Sequence, residues 1–399
     1  MAPFLHGCIV VMRRVFQWFI LSVPFLILLV AYLIWETDRN MVKRWLYPVQ
    51  GGIAAWSTRC DSQAPAWIKD TSAAMARDYG SPANQVAYVS AKGREGGCVN
   101  GWSAMPLLSE RLTPDTRMRL ASLSKIVSFI AMTQGQGSQA DWQKWLSQVL
   151  TSVVQVDGPY KDTRVADIHI GQLLSHSAGF DRLKAEDTMV IRDKKPWCPY
   201  TMEPLREQIL QYTPGTAYAY GNIDFCLAAV AYERSTGKSL WQVLDQDLQM
   251  GQYGLAYLKD VDSSVRYNFM HQGFYDESFP RYFDWSALRA PMGMTGNAMG
   301  LARFIHQHRE ALALALAMHN DHIPCDAANP EKPCFDGFLE RREVQGKTLW
   351  MQRGYLFGMS AIFLMDEPGN LLVWLGAGES SPLAAAGKRW TADFAQHIQ

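Results

Sequence analysis

The sequence has little charge and no excess of either sign. Of its 399 residues, 19% are charged, and 38 basic residues balance 38 acidic ones, so the formal net charge is +0. No long run of one sign is present, whereas nucleic-acid-binding chains usually show a basic surplus or a basic run. We therefore predict no nucleic-acid partner.

Three common catalytic motifs are also missing. The sequence contains no Gly-x-Ser-x-Gly, no His-Glu-x-x-His and no Gly-x-Gly-x-x-Gly, which disfavours common lipases, zinc proteases and dinucleotide-binding enzymes. No Cys-x-x-Cys pair indicates zinc. The histidines of "HNDH", His319 and His322, have no evident third ligand and are more typical of surface residues. We predict no metal and no cofactor.

The strongest local signal is a charge-free apolar run, Val15–Trp35, which follows Arg13 and Arg14. At a rise of ~1.5 Å per residue, it could cross a hydrocarbon core of ~30 Å. It continues into "ETDRNMVKRW" without a small-residue cleavage site, which favours an uncleaved anchor over a signal peptide. A buried helix of a globular domain is the alternative. We predict a cytoplasmic N-terminus (1–14), a transmembrane anchor (15–35), a linker (36–60) and a soluble domain (61–399).

Six cysteines follow the apolar run, and an even number is compatible with disulfides. Cys325 and Cys334 enclose a loop rich in Pro and Asn that a disulfide could close, and the pairing of the other four is left open.

Basic residues on both sides of the apolar run weaken the charge contrast that sets the orientation of an anchor in the membrane. We expect a single-pass protein of a bacterial inner membrane with its catalytic domain in the periplasm.

The order of predicted elements indicates an α+β domain. "QVAYVSA" and "GGCVNGWSAM" suggest an early β-hairpin, and "LFGMSAIFLMDE" and "NLLVWLGAG" suggest two late strands joined by "PG". Between them, residues 122 to about 308 are mainly helical, and "AAAGKRWTADFAQHI" forms a closing helix. The sequence thus predicts an antiparallel sheet built from both termini, flanked by helices, with an all-helical subdomain.

The stretch "RLASLSKIVSF" places Ser122 three residues before Lys125. On a helix these side chains share one face, so the amine can reach the hydroxyl. The apolar residues that follow would bury the turn and disfavour the ammonium form. At the helix N-terminus, Ser122 would also offer its own N–H to an oxyanion. The same spacing at Ser235 and Lys238 falls at a glycine-marked helix end and lacks these features.

A second element, "TPGTAYAYGNIDF", brings Tyr220 and Asn222 to one short loop before a helix. A phenol can relay a proton, and a carboxamide can hold both a lysine and a substrate carbonyl. The alternative is a tyrosine that packs against a turn beside an Asn helix cap.

These segments together resemble the serine β-lactamase and penicillin-binding-protein superfamily, in particular its branch of class C β-lactamases, D,D-peptidases and related esterases. The resemblance lies in four blocks in family order, "PDTRMRLASLSKI", "IHIGQLLSHSAGF", "YTPGTAYAYGNIDFCLAAVAYERSTGKSL" and "GMTGNAMGLARF". It implies the β-lactamase/D,D-peptidase-like fold, with Ser122 as the acylated nucleophile, Lys125 as its activating amine and Tyr220 as the proton relay. Asn222 would position these groups, and His176 would be structural.

The sequence departs from the family pattern at the third motif, usually Lys-Thr-Gly or His-x-Gly on the strand beside the nucleophile. The best match in order is Gln352-Arg353-Gly354, which replaces the first cation by a neutral amide; His271–Gly273, "HQG", fits the pattern but not the order. With the first assignment, the Tyr355 N–H would be the second oxyanion donor. Recognition of a substrate carboxylate would then be weakened.

The sequence therefore predicts a membrane-anchored serine hydrolase that cleaves an ester, amide or peptide through an acyl-enzyme on Ser122. A D,D-peptidase or β-lactamase acting on cell-wall peptides or β-lactams is the alternative within this class. A catalytically silent module that binds peptidoglycan or a protein is the alternative of another class.

Overall fold

The computed structural model describes residues 22–37, 39–103, 106–191, 194–258, 283–318, 334–356, 358–378 and 385–398. The helices in these ranges are α1 (22–37), α2 (Arg39–Trp56), α3 (Ala66–Asp78), α4 (Ser124–Gly135), α5 (Gln139–Leu146), α6 (Leu150–Val154), α7 (Ile170–Leu174), α8 (Asn222–Thr236), α9 (Leu240–Gln242), α10 (Ala298–Gln307), α11 (Arg309–Leu316) and α12 (Ala385–His397). The strands are β1 (Arg59–Cys60), β2 (Ala83–Val89), β3 (Glu95–Asn100), β4 (Met118–Arg119), β5 (Ala256–Tyr257), β6 (Met294–Gly296), β7 (Cys334–Asp336), β8 (Leu339–Val344), β9 (Lys347–Leu356), β10 (Met359–Asp366) and β11 (Leu371–Ala377).

The main sheet brings together early and late parts of the described chain. Its strand order is β1-β3-β2-β11-β10-β9-β8-β7, and all neighbours are antiparallel. The early hairpin β2–β3 meets the late strands where β2 pairs with β11, from Ala83 opposite Ala377 to Val89 opposite Leu371. The predicted α+β fold with a sheet from both termini is confirmed.

Both faces of this sheet are covered. Phe363 and Val373 face the core that includes α4 and the helical subdomain, whereas Ile362 and Trp374 face α3 and α12. Successive side chains on a strand point to opposite faces. Because both faces are apolar, β10 and β11 read as continuous hydrophobic runs instead of alternating ones.

Helix α4 lies at the centre of the helical side and positions the start of the candidate site. Every residue from Ser124 to Thr133 is buried, as expected for a helix surrounded by other elements. Just before it, β4 pairs with β6 in a small sheet of order β4-β6-β5. The Leu120 N–H also donates to Met294 O, and Met294 N–H donates to Ser124 Oγ. The chain is therefore held on both sides of Ser122.

The structure describes only part of the predicted anchor and most of the predicted linker. No helix within the described ranges is both long and apolar enough to cross a membrane. Residues 15–21 lie outside those ranges, and the transmembrane span 15–35 stays a prediction. Residues 36–60, predicted as a linker, instead contain α2, whose second half packs on α3: the Tyr47 hydroxyl donates to Ala76 O and accepts from Gly80 N–H.

Two disulfides are complete within the described residues. Cys60–Cys98 ties β1 to β3, and Cys198–Cys226 ties the segment before α8 to α8 itself. Cys334 is also disulfide-bonded, while its predicted partner, Cys325, lies outside the described residues. The disulfides fit the oxidising compartment that the sequence predicts, and the localisation itself stays a prediction.

Candidate active site

Ser122 sits on a tight turn between β4 and α4. Residues Ala121–Leu123 form a 3₁₀ turn, which we call the Ser122 turn, and it runs directly into α4. Ala121 has a backbone φ of 48°, a conformation that is uncommon for residues other than glycine and that often marks functional sites. Ser122 is 7% exposed, so its hydroxyl lies at the edge of a mostly buried cluster.

Tyr220 connects Ser122 to Lys125. The Tyr220 hydroxyl lies 2.6 Å from Ser122 Oγ and 2.6 Å from Lys125 Nζ, while Lys125 Nζ and Ser122 Oγ are 3.5 Å apart. Burial raises the pKa of Tyr220 to about 12, so the phenol keeps its proton at neutral pH. Two short hydrogen bonds therefore connect the serine to the amine through the phenol, whereas the direct contact lies at the limit of hydrogen-bond distance.

Lys125 is fully buried among acceptors that suit a neutral amine. Burial lowers its pKa well below the usual lysine value, and the positive charge of Arg182 lowers it further. Nζ is 2.8 Å from Asn222 Oδ1 and 2.9 Å from Pro291 O, both of which can only accept hydrogen bonds. In its uncharged form, the amine can donate its two N–H groups to these acceptors and accept the Tyr220 hydroxyl proton with its lone pair.

Asn222 begins α8 and is held by an acidic residue that the sequence analysis missed. Its Nδ2 donates to Asp187 Oδ2 at 2.7 Å. Because a carboxylate can only accept, this contact fixes which end of the Asn222 amide faces Lys125. Asp187 thus sets the orientation of the acceptor that holds the amine.

The strand beside the Ser122 turn is β9. A Cβ placed on Gly354 would lie 3.0 Å from Leu120 O and 3.1 Å from Ser122 N. These contacts are tight for a side chain, so glycine favours the close approach. Gln352, 5% exposed, lies two residues earlier on the same face. Pairing of β8 with β9 ends at Glu340–Met351, and Tyr355 lies beyond that end, opposite Ser360 of β10. The other candidate third motif, His271–Gly273, falls outside the described residues.

Arg353 is committed to an ion pair. Its guanidinium contacts Glu340, which is 3% exposed and also binds Arg342 at 2.5 Å. Burial lowers the pKa of Arg353, an effect that the charge of Glu340 opposes. This arginine is therefore not available as a substitute for the missing cation at Gln352.

His176 supports the site from its buried side. Its Nδ1 is 2.7 Å from Asp224 Oδ2, and its ring centroid is 4.5 Å from that of Tyr220. Burial lowers the pKa of His176 well below its usual value and raises that of Asp224 well above its usual value, so both groups favour their uncharged forms. The histidine packs against the phenol and does not contact Ser122.

A second missed residue, Arg182, lies on the exposed side. Its guanidinium carbon is 4.6 Å from the centroid of the Tyr220 ring. Arg182 and Asp187 belong to "DRLKAEDTMV", which follows the His176 segment. No spacing rule distinguishes them from other surface charges in that stretch, and only their nearness in sequence to His176 hinted at a role.

The second Ser-x-x-Lys pair forms no comparable cluster. Ser235 bonds to Ala231 O and accepts from Trp145 Nε1 near the end of α8, and Lys238 is an exposed residue near Asp247. Within the described part of the chain, no group of three His, Cys, Asp or Glu side chains converges as a metal site. "HNDH" lies outside it.

The comparisons with known proteins agree with this geometry. The family model described as Beta-lactamase matches residues 100–338. A probable fimbrial assembly protein FimD, serogroup H1, from Dichelobacter nodosus is 30% identical over 346 residues, which is 86% of each chain.

Two solved structures share the fold. The D-stereospecific amidohydrolase from Streptomyces sp. superposes with a TM-score of 0.58 at 19% identity, covering 83% of this chain and 99% of its own. The Beta-Lactamase/D-Alanine Carboxypeptidase from Pseudomonas syringae gives a TM-score of 0.60 at 15% identity, covering 84% and 98%.

Proposed function

Because the chain belongs to the beta-lactamase family of serine hydrolases, we propose that it cleaves an amide or ester through an acyl-enzyme on Ser122. The observation that carries this proposal is the position of Tyr220, which bridges the Ser122 hydroxyl and a buried Lys125 amine at 2.6 Å each. A nucleophile that is connected to a base through a proton relay is an arrangement suited to acyl transfer.

In the proposed reaction, Ser122 Oγ attacks the substrate carbonyl carbon. Its proton passes to the Tyr220 oxygen as the Tyr220 proton passes to Lys125. The N–H groups of Ser122 and Tyr355 stabilise the oxyanion. When this intermediate collapses, the relay runs backward and protonates the leaving amine or alcohol. Water then attacks the acyl-enzyme and gives one proton to the same relay. As the bond between the acyl carbon and Oγ breaks, the relay returns that proton to Ser122 Oγ and the acid product leaves.

An amide or peptide is the substrate class that the structural relatives favour, since their names include an amidohydrolase and a carboxypeptidase. We keep a D,D-peptidase or β-lactamase as the alternative within the class. We also propose that the chain is anchored in the inner membrane through residues 15–35, with its hydrolase domain exported; the disulfides support the export.

A second function is favoured by the name of the curated relatives. Two proteins named as fimbrial assembly proteins match 86% of this chain at 30% identity, and in that role the cleft would bind a fimbrial protein. The Ser122–Tyr220–Lys125 hydrogen bonds argue against a cleft that only binds.

The test is turnover of a panel of aryl esters, peptides and β-lactams by the full chain in detergent. We expect hydrolysis of at least one ester or amide by the wild type and by Ser235→Ala, and none by Ser122→Ala. Activity that survives in Ser122→Ala contradicts the proposal. A wild type that is inert on the whole panel, while Ser122→Ala still supports fimbrial assembly in cells, favours the binding function.

A further inference from the structure

Three basic side chains lie near Tyr220 or on strand β9. They differ in whether their positive charge is available to bind a ligand. Lys125 is buried, with acceptors that suit the neutral amine. Arg353 is paired with Glu340. Arg182 is exposed and stacks on the Tyr220 ring. Of these three, only Arg182 presents a positive charge to solvent beside the reacting groups.

The acidic residues of the same loop do not neutralise Arg182. Asp181 accepts from the Leu183 N–H at 2.8 Å, and Asp187 accepts from Asn222 Nδ2 at 2.7 Å. Within the ranges that the structure describes, no carboxylate lies within ion-pair distance of the Arg182 guanidinium. Its fork of N–H donors, which suits a carboxylate in two-point contact, is therefore available to a ligand.

The position of this charge matches a group a few bonds from the scissile carbonyl. The Tyr220 ring that carries Arg182 also presents its hydroxyl to Ser122 Oγ at 2.6 Å. The guanidinium therefore lies within reach of a substrate whose carbonyl carbon meets Ser122. Gln352, on the strand at the other side of the Ser122 turn, supplies no charge.

We propose that Arg182 binds a carboxylate of the substrate and so makes anionic esters or amides the preferred class. This inference rests on the proposed hydrolase function. The neutral Gln352 alone would lead us to expect weak binding of carboxylate-bearing substrates. With Arg182, the cation that binds the carboxylate lies on the loop after His176 instead of on β9.

The test uses two esters that differ only in charge, 3-carboxyphenyl phenylacetate and 3-carbamoylphenyl phenylacetate. Values of kcat/KM are measured for the full chain at a pH on the plateau of each variant, so that Lys125 protonation does not enter. We expect Arg182→Gln to lower kcat/KM for the carboxylate ester by ~10–100-fold, the usual weight of a charge-assisted contact, and to change the neutral ester little. Arg182→Lys should keep part of the preference, because it keeps the charge and loses the fork.

The matched control is Lys184→Gln. Lys184 is an exposed cation on the same loop and lies over the Tyr212 ring. Its substitution removes one positive charge, as Arg182→Gln does, but at a site that does not contact Tyr220. Equal losses on both esters in Arg182→Gln, no loss on the carboxylate ester, or an equal effect of Lys184→Gln would each overturn the inference. If the wild type hydrolyses neither ester and no acyl group is found on Ser122, the proposed function itself is contradicted.

Discussion

At the scale of single residues, the site depends on an amine that burial keeps uncharged. Lys125 would be an ammonium ion in water, but full burial disfavours the charged form. Its contacts with Asn222 Oδ1 and Pro291 O satisfy the N–H groups that burial would otherwise leave unpaired. The ability of Lys125 to act as a base therefore depends on its surroundings. Residues that orient those surroundings should affect the catalytic rate.

Asp187 is the orienting group with the clearest test. In Asp187→Ala, the Asn222 amide loses the acceptor that fixes it, and we expect kcat to fall roughly 10-fold, by analogy with the loss of residues that orient metal ligands. We also expect the acid limb of the pH–rate profile to move to lower pH, because the negative charge of Asp187 raises the pKa of Lys125 and its removal lowers that pKa.

The neighbour Glu186 provides a control for this substitution. Its side chain is 67% exposed and lies near Lys194, so Glu186→Ala should leave both kcat and the pH profile unchanged. If Asp187→Ala lowers the thermal midpoint but leaves the kcat and pH profile of the folded enzyme intact, Asp187 is structural only.

The sequence and the structure agree best on residues whose spacing is set by one element. Ser122 lies on the turn that runs directly into α4, and Lys125 lies in the first turn of α4. Tyr220 and Asn222 lie at the entrance to α8, so local motifs were sufficient to nominate all four. Arg182 and Asp187 reach the site from a loop whose path depends on tertiary packing. Such contacts leave no local pattern in a single sequence.

At the scale of elements, the site depends on how closely β9 approaches the Ser122 turn. The space at Gly354 is tight for a side chain, because an added Cβ would press on Leu120 O and Ser122 N. Both are backbone atoms and cannot rotate away. We expect Gly354→Ala to separate β9 from the turn and to lower kcat/KM roughly 10-fold or more, because small misplacements of reacting groups are costly.

Gly251→Ala is the control for that substitution. A Cβ at Gly251 meets nothing within 4 Å, and the residue lies in a short 3₁₀ segment, Met250–Tyr253, outside the cluster. Its kcat/KM should match the wild type. Wild-type activity in Gly354→Ala would show that the approach of β9 is not needed for catalysis.

The prediction of a linker missed helix α2, in which glycine allows close packing between helices. Residues 36–60 are predicted to form a linker, yet Pro48, Gly51 and Gly52, which are typical of linkers, all lie inside α2. The reason is visible at Gly51, where a Cβ would come within 2.6 Å of Ala76 O on α3. The glycine permits two helices to pack closely, and a single sequence does not distinguish that use from a flexible tether.

At the scale of the whole molecule, the sheet and the disulfides join distant parts of the chain. Cys60–Cys98 and Cys198–Cys226 close loops with sequence separations of 38 and 28 residues. By loop-closure entropy, each such bond contributes roughly 3–4 kcal/mol to the free energy of unfolding. We therefore expect Cys198→Ser to lower the unfolding free energy by about 2–4 kcal/mol.

Export is the second prediction at this scale. A reporter enzyme that works only outside the cytoplasm, fused after Gln399, should be active. In protein isolated without reductant, a thiol reagent should modify Cys8 and leave the six later cysteines unmodified. An inactive reporter together with six reactive thiols would place the domain in the cytoplasm.

The central claim, that Ser122 is activated by an uncharged Lys125 through Tyr220, is tested most directly by the rate of Ser122 modification as a function of pH. A fluorophosphonate probe is added to the full chain from pH 5 to pH 10, and the adduct is located by peptide mass spectrometry. We predict one adduct, on Ser122, whose rate rises with pH as Lys125 loses its proton. The rate should reach its plateau well below the ordinary lysine pKa of ~10.4, because burial lowers the pKa of Lys125. Over this range Tyr220, with a pKa of about 12, stays protonated. An adduct on another residue, no adduct, or a rate still rising at pH 10 would contradict the account.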